Sequence, residues 1–119
     1  MPKRMVENTI PILRVANLAA SAEYYAKVLG FTEQWRTGDT AGMARDGHGI
    51  YLTDADQGQL GSWVWVGVED LDALYQEVTA SGATIIMELT DFPWAREFRI
   101  QDPDGNVLRL GGEPAPEPQ

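Results

Sequence analysis

Between Arg96 and Gln101 the side chains alternate polar and apolar, with Phe98 and Ile100 on one face; after Asp102-Pro103-Asp104-Gly105-Asn106 the chain returns through Val107 to Leu110. Alternation with a period of two is the signature of a half-buried strand. Pro103 presets φ for a turn corner and Gly105 can take a positive φ, so the stretch predicts a β-hairpin. Just before it, Phe92-Pro93-Trp94 puts a large aromatic on an irregular segment, either folded over the sheet edge or presented to a ligand.

Upstream, Thr9 to Val15 is rich in β-branched residues and reads as a first strand, with Pro11 favouring an edge position. Asn17 can cap a helix carrying Leu18, Ala22, Tyr25 and Leu29 on one face, and Gly30 supplies its stop. Phe31 to Arg36, Ala41 to Arg45 and Ile50 to Thr53 are short strands separated by glycine-bearing turns, and Asp54 to Gly61 is a polar link. The order then repeats: a strand from Gly61 to Val68, a helix capped by Asp70 with Leu71, Leu74, Tyr75 and Val78 as its apolar stripe, a stop at Gly82, a strand from Thr84 to Met87, and the hairpin. Leu13 to Leu18 corresponds to Val66 to Leu71, Gly30 to Gly82 and Asp46-Gly47 to Asp104-Gly105, at separations of roughly 52 to 58 residues, so the chain is expected to contain two βαβββ modules. The expected fold is α+β, one curved mixed sheet with helices on its convex side. A single domain would span 1–112, with modules about 9–55 and 61–111, and 113–119 forming a loose, proline-bearing tail.

Composition narrows the function classes. A chain of 119 residues can build one sizeable core but not two independent ones. The absence of cysteine excludes a disulfide framework and thiol chemistry and fits a cytoplasmic location. Lys3 and Arg4 lead into Glu7 and Asn8 without an apolar stretch, so no secretory signal is expected, and no apolar run is long enough to span a membrane. A net charge of −9 argues against nucleic-acid binding and would attract a cationic ligand, with Asp54, Asp56 and Asp91 on loops as steering groups.

Leu18, Ser21, Tyr24-Tyr25 and Leu29-Gly30-Phe31 after the first strand, with Asp102 to Asn106 before the last, resemble the vicinal oxygen chelate superfamily of glyoxalases, extradiol dioxygenases and antibiotic-resistance proteins. The resemblance runs from about residue 9 to 111. Within it, Trp63-Val64-Trp65-Val66, Leu71-Asp72, Leu74-Tyr75 and Pro93 to Phe98 resemble the bleomycin resistance proteins. Enzymes of the superfamily hold a divalent metal through side chains whose positions fall here on Ile10, Trp63 and Arg109. An isoleucine has no donor atom, an indole N–H only donates and a guanidinium repels cations, so no metal and no cofactor are expected. The adjacent Pro11, Val64 and Leu110 are no better.

Other catalytic templates are unsupported. His48, the single histidine, sits in a glycine-flanked turn, the serines Ser21, Ser62 and Ser81 lack a histidine partner, and Glu69-Asp70, Asp102 and Asp104 suit a helix cap or turn. The period of two instead puts Trp63, Trp65 and Gly67 on one face of their strand and the valines on the other, giving a stacking cleft where a metal enzyme keeps its site. The resemblance implies a homodimer whose subunits form two grooves, in which a planar cationic drug of the bleomycin type stacks between Trp94 and a phenylalanine. That phenylalanine falls on Thr40, so a second ring would have to come from Trp35. The expected binding residues are Trp35, Thr40, Trp63, Trp65, Trp94 and Arg109, and the expected function is sequestration without catalysis. A superfamily enzyme (lyase, epimerase or dioxygenase-like) or a metabolite-binding protein of the same fold is the alternative.

Overall fold

A computed structural model describes residues 5–114. The elements follow the repeat: β1 (Ile12–Arg14), α1 (Leu18–Lys27), β2 (Thr32–Arg36), β3 (Thr40–Arg45), β4 (His48–Thr53), then β5 (Trp63–Gly67), α2 (Leu71–Ala80), β6 (Thr84–Asp91), β7 (Arg96–Gln101) and β8 (Val107–Gly112). The helices begin where the capping residues predict. The Asn17 side chain accepts the Ala20 N–H at 2.9 Å, and Asp70 accepts that of Ala73 at 3.1 Å. Each helix is followed by a glycine at positive φ, Gly30 at 75° and Gly82 at 95°.

The strands pair as β1-β4-β3-β2 and β5-β8-β7-β6. The α+β class and the duplicated module are as expected, but the sheet is divided into two four-stranded mixed sheets, one per module. In each, a parallel pair joins the module's first strand to its last, and antiparallel pairs complete the rest. Strand lengths also differ from expectation. β1 is confined to Ile12–Arg14, because Pro11 has no N–H and contributes only its carbonyl, to Tyr51 N at 2.9 Å. β6 runs on to Asp91 through two register shifts, and β8 extends through Gly111 and Gly112. His48 is not in the turn but is the exposed first residue of β4; Asp46 and Gly47, both at positive φ, make the turn. Glu113 and Pro114 are the only described residues of the expected tail, whose remainder lies outside the described residues.

One apolar cluster draws on both modules: Leu13, Leu18, Tyr25, Met43 and Leu52 from the first, and Leu71, Val78, Phe98, Ile100 and Leu108 from the second. The turn between β7 and β8 fastens the modules together. Asp102 accepts the N–H groups of Asp104 and Asn106 and the Tyr25 hydroxyl, each at 2.9 Å. Asn106 Nδ2 donates to the Arg14 carbonyl at 3.1 Å, and Asp104 accepts the Ala16 N–H at 2.8 Å and the Ser21 hydroxyl at 2.9 Å. Burial, and next the Asp102 carboxylate, push the Tyr25 phenol well above its ordinary range, so it stays a donor. Among the described residues no helix is long and apolar enough to cross a membrane.

Candidate functional site

Since Phe98, Ile100, Leu108 and Leu110 point into the core, the pleat forces Glu97, Arg99, Arg109 and Gly111 to the opposite, open face of the second sheet. On β5 the same rule turns Val64 and Val66 toward the core and Trp63 and Trp65 outward, where they remain 57% and 51% exposed. The register sets these side chains in rows. Trp65 pairs with Arg109 and Arg109 with Arg99, while Gly67 pairs with Gly111 and Gly111 with Glu97.

Arg99 and Arg109 are like charges placed directly opposite each other, an arrangement that repels unless an anion intervenes. Glu97 is that anion. Its buried carboxylate accepts Arg99 Nε at 2.8 Å, Arg109 Nε at 2.7 Å and Arg109 Nη2 at 2.9 Å. The Arg109 hydrogen bonds are the main reason its pKa is held down to about 2, against the opposing effect of burial, with Arg99 adding to them. Each guanidinium also lies over an indole, Arg99 at 5.4 Å from the Trp63 ring and Arg109 at 5.3 Å from the Trp65 ring. Trp65 lies flat because Gly111 has no side chain; a methyl there would overlap the indole.

The first sheet uses the same device. Trp35 on β2, partly exposed, lies over Gly42 of β3, where a methyl would overlap the ring, and meets Tyr51 of β4 edge-on at 4.8 Å. Thr40 begins β3, its hydroxyl donating to Asp39 at 2.9 Å. Trp94 is elsewhere, in the β6–β7 connection beyond the Gly112 end of the second sheet. It is 69% exposed, and rather than folding over the sheet edge it stacks on Phe92 at 5.1 Å with 14° between the ring planes. The structure therefore groups Trp63, Trp65 and Arg109 on one face, keeps Trp35 and Thr40 on the other sheet, and gives Trp94 a ring partner, Phe92, for which the hydrophobic pattern along the chain carries no signal.

Ile10 precedes β1 and offers only methyls, so at the positions where the resemblance would put metal ligands Ile10, Trp63 and Arg109 present no donor set suited to a divalent cation. Among the described residues no three His, Cys, Asp or Glu side chains are grouped to hold a metal. Two of the three acidic groups expected to steer from loops are engaged locally. Asp54 accepts the Leu18 N–H at 3.3 Å, and Asp91, the last residue of β6 and not on a loop, pairs with Arg96 at 2.6 Å; in the rows beside Trp63 and Trp65 two guanidiniums share the Glu97 carboxylate.

The glyoxalase/bleomycin resistance protein/dioxygenase superfamily model matches residues 8–110. No curated protein matches the chain. Among solved structures, the bleomycin-binding protein of bleomycin-producing Streptomyces verticillus, complexed with copper(II)-bleomycin, is 23% identical over 97% of this chain and 100% of its own, with a TM-score of 0.77. TioX from Micromonospora sp. ML1 is 20% identical over 94% and 100%, with a TM-score of 0.78. A glyoxalase/bleomycin resistance protein/dioxygenase from Alicyclobacillus acidocaldarius is 16% identical over 90% and 91%, also at 0.78. At these identities the likeness is one of fold.

Proposed function

The chain belongs to the glyoxalase/bleomycin resistance protein/dioxygenase superfamily, and from that premise we propose that it is a metal-independent binding protein that sequesters a planar small molecule in clefts completed by a second copy of itself. The observation that carries this reading is the pair of exposed indoles, Trp63 and Trp65, each set beside a guanidinium pinned to Glu97. Rings ordered before the ligand arrives lose little freedom on binding, and each can contribute about 0.5 to 1.5 kcal/mol beyond its area when stacked. Isoleucine, indole and guanidinium at the metal positions favour binding over the metal chemistry of superfamily enzymes.

Bleomycin-type glycopeptides are the first ligands to test, since one structural neighbour is a bleomycin-binding protein. Trp94, stacked on Phe92 and largely exposed, would supply a second platform from a neighbouring subunit. The cationic character expected from the net charge finds no support in the rows beside Trp63 and Trp65, where two guanidiniums share the Glu97 carboxylate, so planarity is the property carried forward.

Titration of intrinsic tryptophan fluorescence with bleomycin and phleomycin tests the drug assignment. Saturable quenching of the wild type, weakened by Trp63→Ala and by Trp94→Ala, is the expected result. Absence of saturable quenching removes the bleomycin assignment, and undiminished binding by both variants removes the stacking mechanism.

A further inference from the structure

Arg99 and Arg109 hold more hydrogen-bonding capacity than Glu97 uses. Arg109 commits Nε and Nη2 to the carboxylate, and Arg99 commits Nε alone. The N–H groups on Arg109 Nη1 and on both terminal nitrogens of Arg99 have no protein acceptor among the described residues, and both side chains are partly exposed on the open face, 28% for Arg99 and 38% for Arg109. One buried carboxylate needs one guanidinium to neutralise it. The second leaves a formal charge of +1 in a row flanked by two indoles.

We propose that this row receives the anionic group of the ligand, so that the preferred ligand is a planar aromatic molecule bearing a carboxylate or a comparable oxyanion. The inference rests on the reading of this face as a planar-ligand site and specifies the chemistry that site selects. Guanidinium donors match an oxyanion in geometry, two parallel N–H groups to two oxygens. Here they are already oriented, their Nε atoms tied to Glu97 and their planes set against Trp63 and Trp65. An anion between them relieves the repulsion that a single carboxylate leaves between residues paired directly across the ladder. The ring attached to it falls on Trp63 or Trp65, while a cationic substituent in the same place meets uncompensated positive charge.

Three probes of nearly equal shape separate the possibilities by calorimetry at low ionic strength: 2-naphthoate, its neutral amide, and 2-naphthylmethylammonium. The expected order is naphthoate tightest, by about tenfold over the amide, with the ammonium weakest. Arg99→Gln, which leaves the Arg109 pair with Glu97 in place, is expected to bring naphthoate down to the amide's affinity while changing the amide less than about twofold. In the wild type, raising salt is expected to weaken naphthoate and leave the amide unchanged, a readout independent of the variant's stability. An amide or ammonium that binds as well as naphthoate overturns the anion inference and leaves the planar-ligand reading standing. Failure of all three probes to bind also overturns it, whereas the bleomycin assignment stands or falls on its own titration.

Discussion

Glu97 illustrates how a residue's role can depend on strands far from it in sequence. Alternation along β7 put it on the open face, where a glutamate ordinarily reads as solvated. Its burial follows from the register of β8, which brings Arg109 opposite Arg99 and leaves the carboxylate beneath both. Glu97→Gln leaves two facing guanidiniums unneutralised and is expected to destabilise the fold by roughly 2 to 3 kcal/mol in urea unfolding at neutral pH, below the full cost of orphaning deeply buried charge because both arginines touch solvent. The native pKa of about 2 lies below the ordinary glutamate value of 4.5, so the ionised carboxylate stabilises the fold above that ordinary value and the contribution is lost as pH falls toward about 2. The gap between wild type and Glu97→Gln is therefore expected to narrow between about pH 4.5 and pH 2. A gap independent of pH would mean that the pairing contributes nothing. The glycines beside the indoles make a second residue-scale test. Gly111→Ala is expected to tilt Trp65 off the sheet and alter near-ultraviolet circular dichroism, whereas Gly67→Ala, where a methyl would make an ordinary 3.7 Å contact with the same ring, is expected to leave the spectrum unchanged.

At the scale of elements, what could be read from sequence was whatever rests on local chemistry. Asn17 and Asp70 cap helices because their side chains reach the N–H three residues on, and the Val64/Val66 against Trp63/Trp65 split follows from the pleat alone. Illegible were features fixed by pairing across the chain: the division into two sheets, the bulged extension of β6, and the Arg–Glu–Arg row. The stacking of Trp94 on Phe92 was hidden too, although both flank Pro93, because loop conformation and not periodicity brings the rings together. The two kinds of feature carry different weight in stability. Asn17→Ala removes one capping bond at an exposed helix start and is expected to cost about 1 kcal/mol. Asp102→Ala removes the acceptor for two backbone N–H groups, the Tyr25 hydroxyl and Asn106 Nδ2 in a buried turn that joins both modules, and is expected to cost about 3 kcal/mol or more. Chemical denaturation of the two variants side by side decides it; equal losses would show that the turn fastens nothing beyond itself.

For the whole molecule, the question is what covers the open faces. Ile12 and Trp35 are exposed on the first sheet, Trp63, Trp65 and Ile86 on the second, a concentration of large apolar side chains that a monomer at net charge −9 would have to leave in water. Among the described residues each four-stranded sheet also ends in two edge strands, β1 and β2 in one, β5 and β6 in the other, and sheet edges invite another strand. A second copy related by a two-fold axis presents the same faces and edges in complementary positions, whereas a small ligand alone covers only part of one face. Pairing would bury apolar area worth about 25 cal/mol per Å², and because association is then part of the folding equilibrium, stability depends on protein concentration. The expected outcome is a dimer by light scattering at micromolar concentration and a thermal midpoint that rises as the protein is concentrated. A monomer with a concentration-independent midpoint would leave the two faces to be covered by ligand alone and would remove the intersubunit cleft from the proposed function.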